Sequence, residues 1–249
     1  MSSPSRVFAI LELFTPERPL WSADEINQEL AYSRPTGYRY VKELVDAGFL
    51  QKVSAGRYAL GGRIVTLDYI QRQTDPVYVA AAPIMQHLSD ESGFDAVLSR
   101  MFGGKIVDTH RVNDSSSLRL AYGRGRVRPL FQGAAAKILV SQLPRQQLTR
   151  LYEANKDEAR AAGLGNHLSE FRTRLSHIRR QGFYFSLGEL EPSVGGAAVP
   201  IISPDKGLTG ALALVGTIPG LKAAGEDQLR LWLEAAAVLI QARFDKPTP

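Results

Sequence analysis

Residues 22–60, SADEINQELAYSRPTGYRYVKELVDAGFLQKVSAGRYAL, decide how this chain folds. Ser22 and Glu25 have the spacing of a capping box, in which serine oxygen and glutamate carboxylate each satisfy a free backbone N–H. Trp21 and Ile26 stand where a hydrophobic staple would pack. A helix therefore starts at Ser22 and runs to about Ala31, with Ile26 and Leu30 inward. Tyr32-Ser33 makes a short turn. Ser33 is a good N-cap, and Pro35 is tolerated in a first helical turn. In the helix that follows, Gly37, Val41, Leu44 and Val45 line one face, and Gly48 ends it as a left-handed cap. Phe49–Val53 and Arg57–Leu60, around Ser54-Ala55-Gly56, read as two short strands.

Working outward, Val7, Ile10, Leu11 and Phe14 recur at helical spacing. Thr15-Pro16-Glu17-Arg18-Pro19 stops that first helix, because proline cannot continue it. Three helices, a tight turn between the second and third, and a terminal hairpin make a winged helix-turn-helix over residues 1–60. In that motif the third helix enters the major groove and its N-terminal residues reach base edges. Here those residues are Ser33, Arg34, Pro35, Thr36, Tyr38 and Arg39. Arginine can read guanine through two hydrogen bonds, and threonine can meet a thymine methyl. Lys42, Lys52 and Arg57 are placed for phosphates, which position a protein without reading sequence. The alternative is that Arg34, Arg39 and Lys42 form an ordinary solvated helix face. Tyr40 reads as core or as a base or sugar contact.

Bulk properties bound the rest. The 249 residues carry a net charge of +5, and 44% are hydrophobic, enough for real cores. Residues 1–60 hold seven basic and seven acidic side chains, so a DNA interface must rest on where the cations sit. It requires the acids outside the third helix, Glu12, Glu17, Asp24, Glu25 and Glu29, to face away. There is no cysteine, which removes disulfides, thiol catalysis and cysteine metal sites. No secretory signal and no apolar run long enough for a membrane span is visible, so a cytoplasmic protein is expected. The four histidines lack metal-ligand spacing, and no catalytic triad or nucleotide fingerprint appears. No metal, cofactor or enzymatic activity is expected.

Residues 61–76, GGRIVTLDYIQRQTDP, read as a linker helix with Ile64, Leu67, Tyr69 and Ile70 on its apolar side. Such a helix either pairs two protomers or packs within its own chain. A helix over 77–92 follows, then strands at 95–101 and 105–112 around Gly103-Gly104, a hairpin signal. Asp108 and His110, two residues apart on a strand, should share a face. A third strand is expected at 117–122. The run Gly123–Arg128 reads as a solvated loop or an oligomer contact. Helices are expected at 134–142, 145–154, 168–181 and 226–244, and strands at 183–187, 196–202 and 208–216. Residues 77–249 thus form an α+β domain with an antiparallel sheet.

The runs RVFAILELFTPERPLWSADEI, YSRPTGYRYVKELVDAGFLQ and GRYALGGRI resemble the N-terminal domain of the IclR family of transcriptional regulators. PLFQGAAAKILVSQLP is similar to the family's PLHxTAxGKAxLAxLP segment, and GFYFSLGELEPSVGGAAVPI to its GYxxDxEExxxGxxxIAAPV segment. The resemblance implies a homodimer or dimer of dimers and a GAF-like C-terminal domain that binds a small effector and oligomerises. It implies an effector site at Phe131, Gln132, Gly133 and Ala134, with Ser186, Glu189 and Gly196, and with Ala213 and Val215 from the last strand. Glu189 can equally be structural, and Phe131, Ala213 and Val215 plain core. The helix start near Gly133 could offer free N–H groups to a carboxylate. The chain departs from the family where acids are frequent (Ser186, Leu187, Gly188), where a cysteine or polar residue is frequent (Gly196), and where serines are frequent (Ala213, Val215). These departures point to a less polar pocket, with glycines 195 and 196 leaving room for a ring. The implied function is a sequence-specific regulator of double-stranded operator DNA, tuned by an aromatic carboxylate or phenol. A winged helix that binds protein and an enzyme of aromatic-acid metabolism are the alternatives.

Overall fold

The computed structural model describes residues 3–54, 56–112, 123–203 and 207–244. The chain divides into two compact units, Met1–Asp75 and Pro76–Pro249.

The first unit opens with α1 (Ser3–Leu11), β1 (Trp21–Ser22), α2 (Ala23–Glu29) and α3 (Arg34–Asp46). The hairpin β2 (Leu50–Ser54) and β3 (Arg57–Leu60) and the helix α4 (Arg63–Thr74) complete it. The capping box is real: Ser22 Oγ accepts from Glu25 N–H at 3.2 Å, and Ser22 N–H donates to the Glu25 carboxylate at 2.7 Å. Trp21, Ile26, Ile10, Tyr40, Val41, Leu44 and Leu50 bury together. The Trp21 indole donates to the Leu13 carbonyl at 3.0 Å, satisfying its buried N–H. Tyr40 belongs to this core.

Three local features differ from the sequence reading. Helix α2 stops at Glu29, and the turn hinges on Ala31, at φ +52°. This left-handed C′ position usually goes to glycine, so no glycine marks it in the sequence. Ser33 makes no capping bond to the backbone; its hydroxyl donates to Thr36 Oγ1 at 2.8 Å. The wing is three-stranded, in the order β1-β3-β2, because Trp21 and Ser22 pair with Tyr58 and Arg57. In α4 no residue is buried, and Val65, Leu67, Tyr69 and Ile70 are exposed.

The second unit contains α5 (Pro76–Ser92), β4 (Asp95–Phe102), β5 (Lys105–Val112), β6 (Val127–Arg128) and α6 (Ala134–Ser141). It continues with α7 (Arg145–Ala154), α8 (Lys156–Ala161), α9 (Leu168–Gln181), β7 (Tyr184–Leu187), β8 (Val194–Ser203) and β9 (Gly207–Thr217). It ends with α10 (Ile218–Ala224) and α11 (Glu226–Phe244). The strands form one antiparallel sheet, β6-β5-β4-β9-β8-β7. Alternation along the strands gives it two apolar faces. Ala96, Leu98, Val199, Leu212 and Leu214 meet residues of α5 and α11 such as Met85, Leu88, Leu233 and Ile240. Val97, Ile106, Ala198, Ala211 and Ala213 meet residues of α6 and α9 such as Ile138, Leu139, Phe171 and Leu175. Helices α8 and α10 were not anticipated, and the strand expected at 117–122 lies outside the described residues.

One irregularity reorders a functional face. Leu98 pairs with His110 but Ser99 pairs with Asp108, leaving Thr109 as an extra residue in β5. Such a bulge shifts the alternation by one. Asp108 and His110 therefore do not share a face, contrary to their spacing. His110 packs edge-on against Tyr78 of α5, centroids 4.7 Å apart. Asp108 points to the other side of the sheet, below α6.

Candidate nucleic-acid interface and ligand pocket

The outer face of α3 presents Arg34, Pro35, Tyr38, Arg39 and Lys42 to solvent, while Gly37, Tyr40, Val41 and Leu44 are buried. Thr36 is half-buried. The guanidinium of Arg39 lies 5.4 Å from the centroid of buried Tyr40. Close approach of α2 to α3 fixes the presentation. A Cβ placed on Gly37 would sit 1.4 Å from Asn27 Oδ1, so any larger residue there must displace the buried Asn27 amide.

The acids of α2 do not all face away. Asp24 lies 3.3 Å from the Arg34 guanidinium and accepts from the Tyr38 hydroxyl at 3.2 Å. The Arg34 side chain remains 75% exposed, so this contact is a surface ion pair. Arg57 is more firmly held: it donates to the Glu25 carboxylate at 3.1 Å and to the Leu20 carbonyl at 3.4 Å. Arg18 joins the same carboxylate at 3.1 Å while lying over the Trp21 ring. Glu25 is thereby held below the ordinary carboxylate pKa, first by the Ser22 backbone N–H, then by the Ser22 hydroxyl, with Arg57 and Arg18 adding to it. In this structure Arg57 braces the base of the wing while remaining exposed, and Lys52 is a second exposed wing cation.

In the second unit a narrow cavity of about 40 Å³, with a mouth open to solvent, lies between the sheet and the start of α6. Its floor is Val97, Gly196, Ala213 and Val215, and its roof is Gly133, Ala134 and Ala135. Ser186, Glu189 and Glu191 stand at one side, and Asp108, Arg111 and Arg128 at the other. Gly133, Ala134, Ser186, Glu189, Gly196, Ala213 and Val215, all named from the sequence, line it together. Two others do not. Phe131 is fully buried and packs edge-on against Phe171, centroids 5.5 Å apart, so its role is core. Gln132 is half-buried and lines no part of the cavity.

The two glycines of β8 have different reasons. A Cβ on Gly196 would meet nothing closer than 3.4 Å, so this residue leaves room in the cavity. A Cβ on Gly195 would collide with Leu187 and Leu221, both at 2.8 Å. Gly195 therefore serves the approach of α10 and provides no space for a ring.

Glu189 is tied on every side. Its carboxylate accepts from Gly133 N–H at 2.9 Å, from Lys137 Nζ at 2.8 Å and from the Tyr184 hydroxyl at 3.0 Å. A carboxylate at a helix N-terminus satisfies orphan donors and complements the helix dipole. The free N–H expected at Gly133 is thus already occupied by an internal acid. Lys137 is buried within this trio, and burial pushes the Tyr184 phenol above its ordinary pKa.

On the far side of the cavity sequence reasoning singled out Asp108, paired with His110 as a structural or surface pair or an effector contact, and missed Arg111 and Arg128. Arg128, read as part of a solvated loop, is buried, and its Nη1 lies 3.0 Å from Asp108 Oδ1. Asp108 also accepts from Ser99 Oγ at 2.6 Å. Arg111 forms an ion pair with Asp95. Among the described residues no cluster of His, Asp or Glu could hold a metal ion, and no helix is long and apolar enough to cross a membrane.

A winged helix-turn-helix followed along the chain by a sheet domain with a built-in cavity defines a transcription regulator with a DNA-binding and an effector domain. Residues 3–54 match the IclR helix-turn-helix domain, and residues 69–242 match the bacterial transcriptional regulator IclR C-terminal family. The chain belongs to the IclR family. It is 23% identical over 210 residues to the HTH-type transcriptional regulator KipR of Bacillus subtilis, covering 84% of this chain and 83% of that one. It is 25% identical over 206 residues to the Pca regulon regulatory protein of Pseudomonas putida, covering 81% and 69%. The fold matches an IclR transcriptional regulator from Alicyclobacillus acidocaldarius with a TM-score of 0.81, at 19% identity, over 97% of this chain and 98% of that one. It also matches an IclR homolog from Microbacterium hydrocarbonoxydans complexed with 4-hydroxybenzoate, with a TM-score of 0.77, at 21% identity, over 97% and 98%.

Proposed function

We propose that this regulator binds a near-palindromic operator through α3 and that an aromatic carboxylate or phenol in the sheet cavity adjusts that binding. The apolar floor formed by Val97, Gly196, Ala213 and Val215 carries this reading of the effector, since it suits a flat hydrophobic body better than a very small keto acid. The 4-hydroxybenzoate complex of a structural neighbour and the Pca-regulon name of a relative support it. Residues 1–60 act as the DNA module, with Arg34, Thr36, Tyr38 and Arg39 toward bases and Ser33, Pro35, Lys42, Lys52 and, once released from Glu25, Arg57 toward the backbone. Residues 77–249 act as the effector and oligomerisation module.

The helix over 61–76 links the two and pairs protomers. Its exposed Val65, Leu67, Tyr69 and Ile70 support that role. In a dimer the two α3 helices fall roughly 34 Å apart or a multiple of it. The effector works by preferring one arrangement of the modules over another.

The test is selection of binding sites from random duplexes, followed by titration of the selected site with and without aromatic acids and phenols. A near-palindromic site whose affinity changes with such a ligand is expected, and Gly196→Leu should abolish the ligand's effect while DNA binding remains. Unchanged response in Gly196→Leu would remove the cavity from the account.

A further inference from the structure

Among the described charged residues that line the cavity, Arg128 alone has a buried N–H without a hydrogen-bond partner. Glu189 has its three donors, Asp108 has Ser99 and Arg128, and Arg111 has Asp95. The Arg128 side chain is 8% exposed, yet Asp108 contacts only Nη1, at 3.0 and 3.3 Å. Its Nε is buried with no hydrogen-bond partner. Its Nη2 lies beside Gly133 in the cavity roof, 3.3 Å from where a Cβ would stand. A guanidinium has five donors on two usable edges and can hold one carboxylate on each. Asp108 takes the Nη1 end, which leaves the Nε–Nη2 edge.

We infer that Arg128 is the specificity-determining residue of the effector site, and that its Nε–Nη2 edge receives the carboxylate of a monoanionic ligand whose apolar body lies on Val97, Ala213 and Val215. The inference rests on the cavity being the effector site. Two observations set the ligand's charge at one. A buried, unpartnered N–H is costly, so a carboxylate arriving there gains a strong charge-assisted pair. Across the cavity stand Glu189, already paired with Lys137, and Glu191, which offer a second carboxylate no donor. An uncharged phenol or amide would leave the Nε–Nη2 edge poorly matched. Gly133 belongs to the same device: a side chain there would crowd the Nη2 position, and its φ of +82° already excludes most residues.

The test is calorimetric titration of the full chain with benzoate, 4-hydroxybenzoate, phenylacetate and cinnamate, each beside its amide, and with the dianion terephthalate. Wild type should bind at least one monoacid tenfold or more tighter than its amide, and terephthalate more weakly than benzoate. Arg128→Lys keeps a cation for Asp108 but loses the planar fork, and should cost the acid tenfold or more while sparing the amide. Because Arg128→Met alone would strand a buried carboxylate, the paired variant Arg128→Met with Asp108→Asn serves as the charge-free version, with its fold checked by thermal melting. It should bind acid and amide alike. Equal wild-type affinity for acids and amides, no acid binding at all, or undiminished acid binding in the paired variant would overturn the assignment. Gly196→Leu separates the two levels: if it leaves acid binding intact, the cavity itself is misassigned; if it abolishes binding while the Arg128 variants do not, only the arginine is.

Discussion

The two charged regions of this molecule are built on opposite principles. On α3 the cations stand in water, and their acidic neighbour Asp24 holds Arg34 by an exposed contact. Such pairs are worth about 1 kcal/mol or less, so DNA phosphates can displace them readily. Around the cavity the cations Lys137 and Arg128 are buried, and each already has a carboxylate. Removing one partner of a buried pair strands the other and costs several times more. The first region therefore exchanges its partners cheaply, as the proposed DNA contact requires, and the second holds a fixed shape, as the proposed effector site requires.

Breaking the buried set should produce the largest effect. Lys137→Met leaves the Glu189 carboxylate with only the Gly133 N–H and the Tyr184 hydroxyl, and should destabilise the second unit by about 3 kcal/mol in denaturant titration. A loss below 1 kcal/mol would place this pair with the surface ones. Next comes the scaffold of the DNA face. Gly37→Ala must displace the buried Asn27 amide and should cost about 2 kcal/mol by overpacking, with weakened operator binding. Intact DNA binding in this variant would show that the α2–α3 crossing is not what aims α3. Ser22→Ala removes one half of the capping box and should cost about 1 kcal/mol.

The smallest effect is on pH. Glu25 is held below its ordinary pKa in the folded chain, so the unfolded chain takes up the proton first. The contribution of its cap and its Arg57 and Arg18 contacts is complete above the unfolded carboxylate pKa, near 4.3, and disappears as the pH falls through the lower folded value. Gln at position 25 should flatten that part of the stability–pH curve; an unchanged curve would assign the acid sensitivity elsewhere.

The same contrast governs what could be read from the sequence. The winged helix was legible because its signals are local: Ser22 and Glu25 three apart, Pro35 in a first turn, Gly48 as a cap. Among its three surprises, the turn at Ala31 used a residue that carries no left-handed mark. The cavity draws on all six strands of the sheet and on one helix start, so local spacing could place only its near side. Family resemblance supplied Gly133, Ala134, Ser186, Glu189, Gly196, Ala213 and Val215. Asp108 was put on one face with His110, whereas an extra residue at Thr109 flips the alternation of β5, and Arg128 escaped notice because a glycine-arginine run looks solvated until β6 pairs with β5. A side chain's face depends on register, and register is a property of the pairing rather than of the strand alone.

The most direct measurement is the affinity of the full chain for its selected duplex, compared among wild type, Arg39→Ala and Lys42→Ala across a salt series. Arg39→Ala should lose about 10- to 100-fold and relax preference at one base pair. Lys42→Ala should weaken all sequences alike and lower the salt slope by about one. Ligand binding to the second unit should be untouched in both. Wild-type affinity in Arg39→Ala, at every salt concentration, would contradict the placement of α3 in the major groove and with it the account of how this regulator reads DNA.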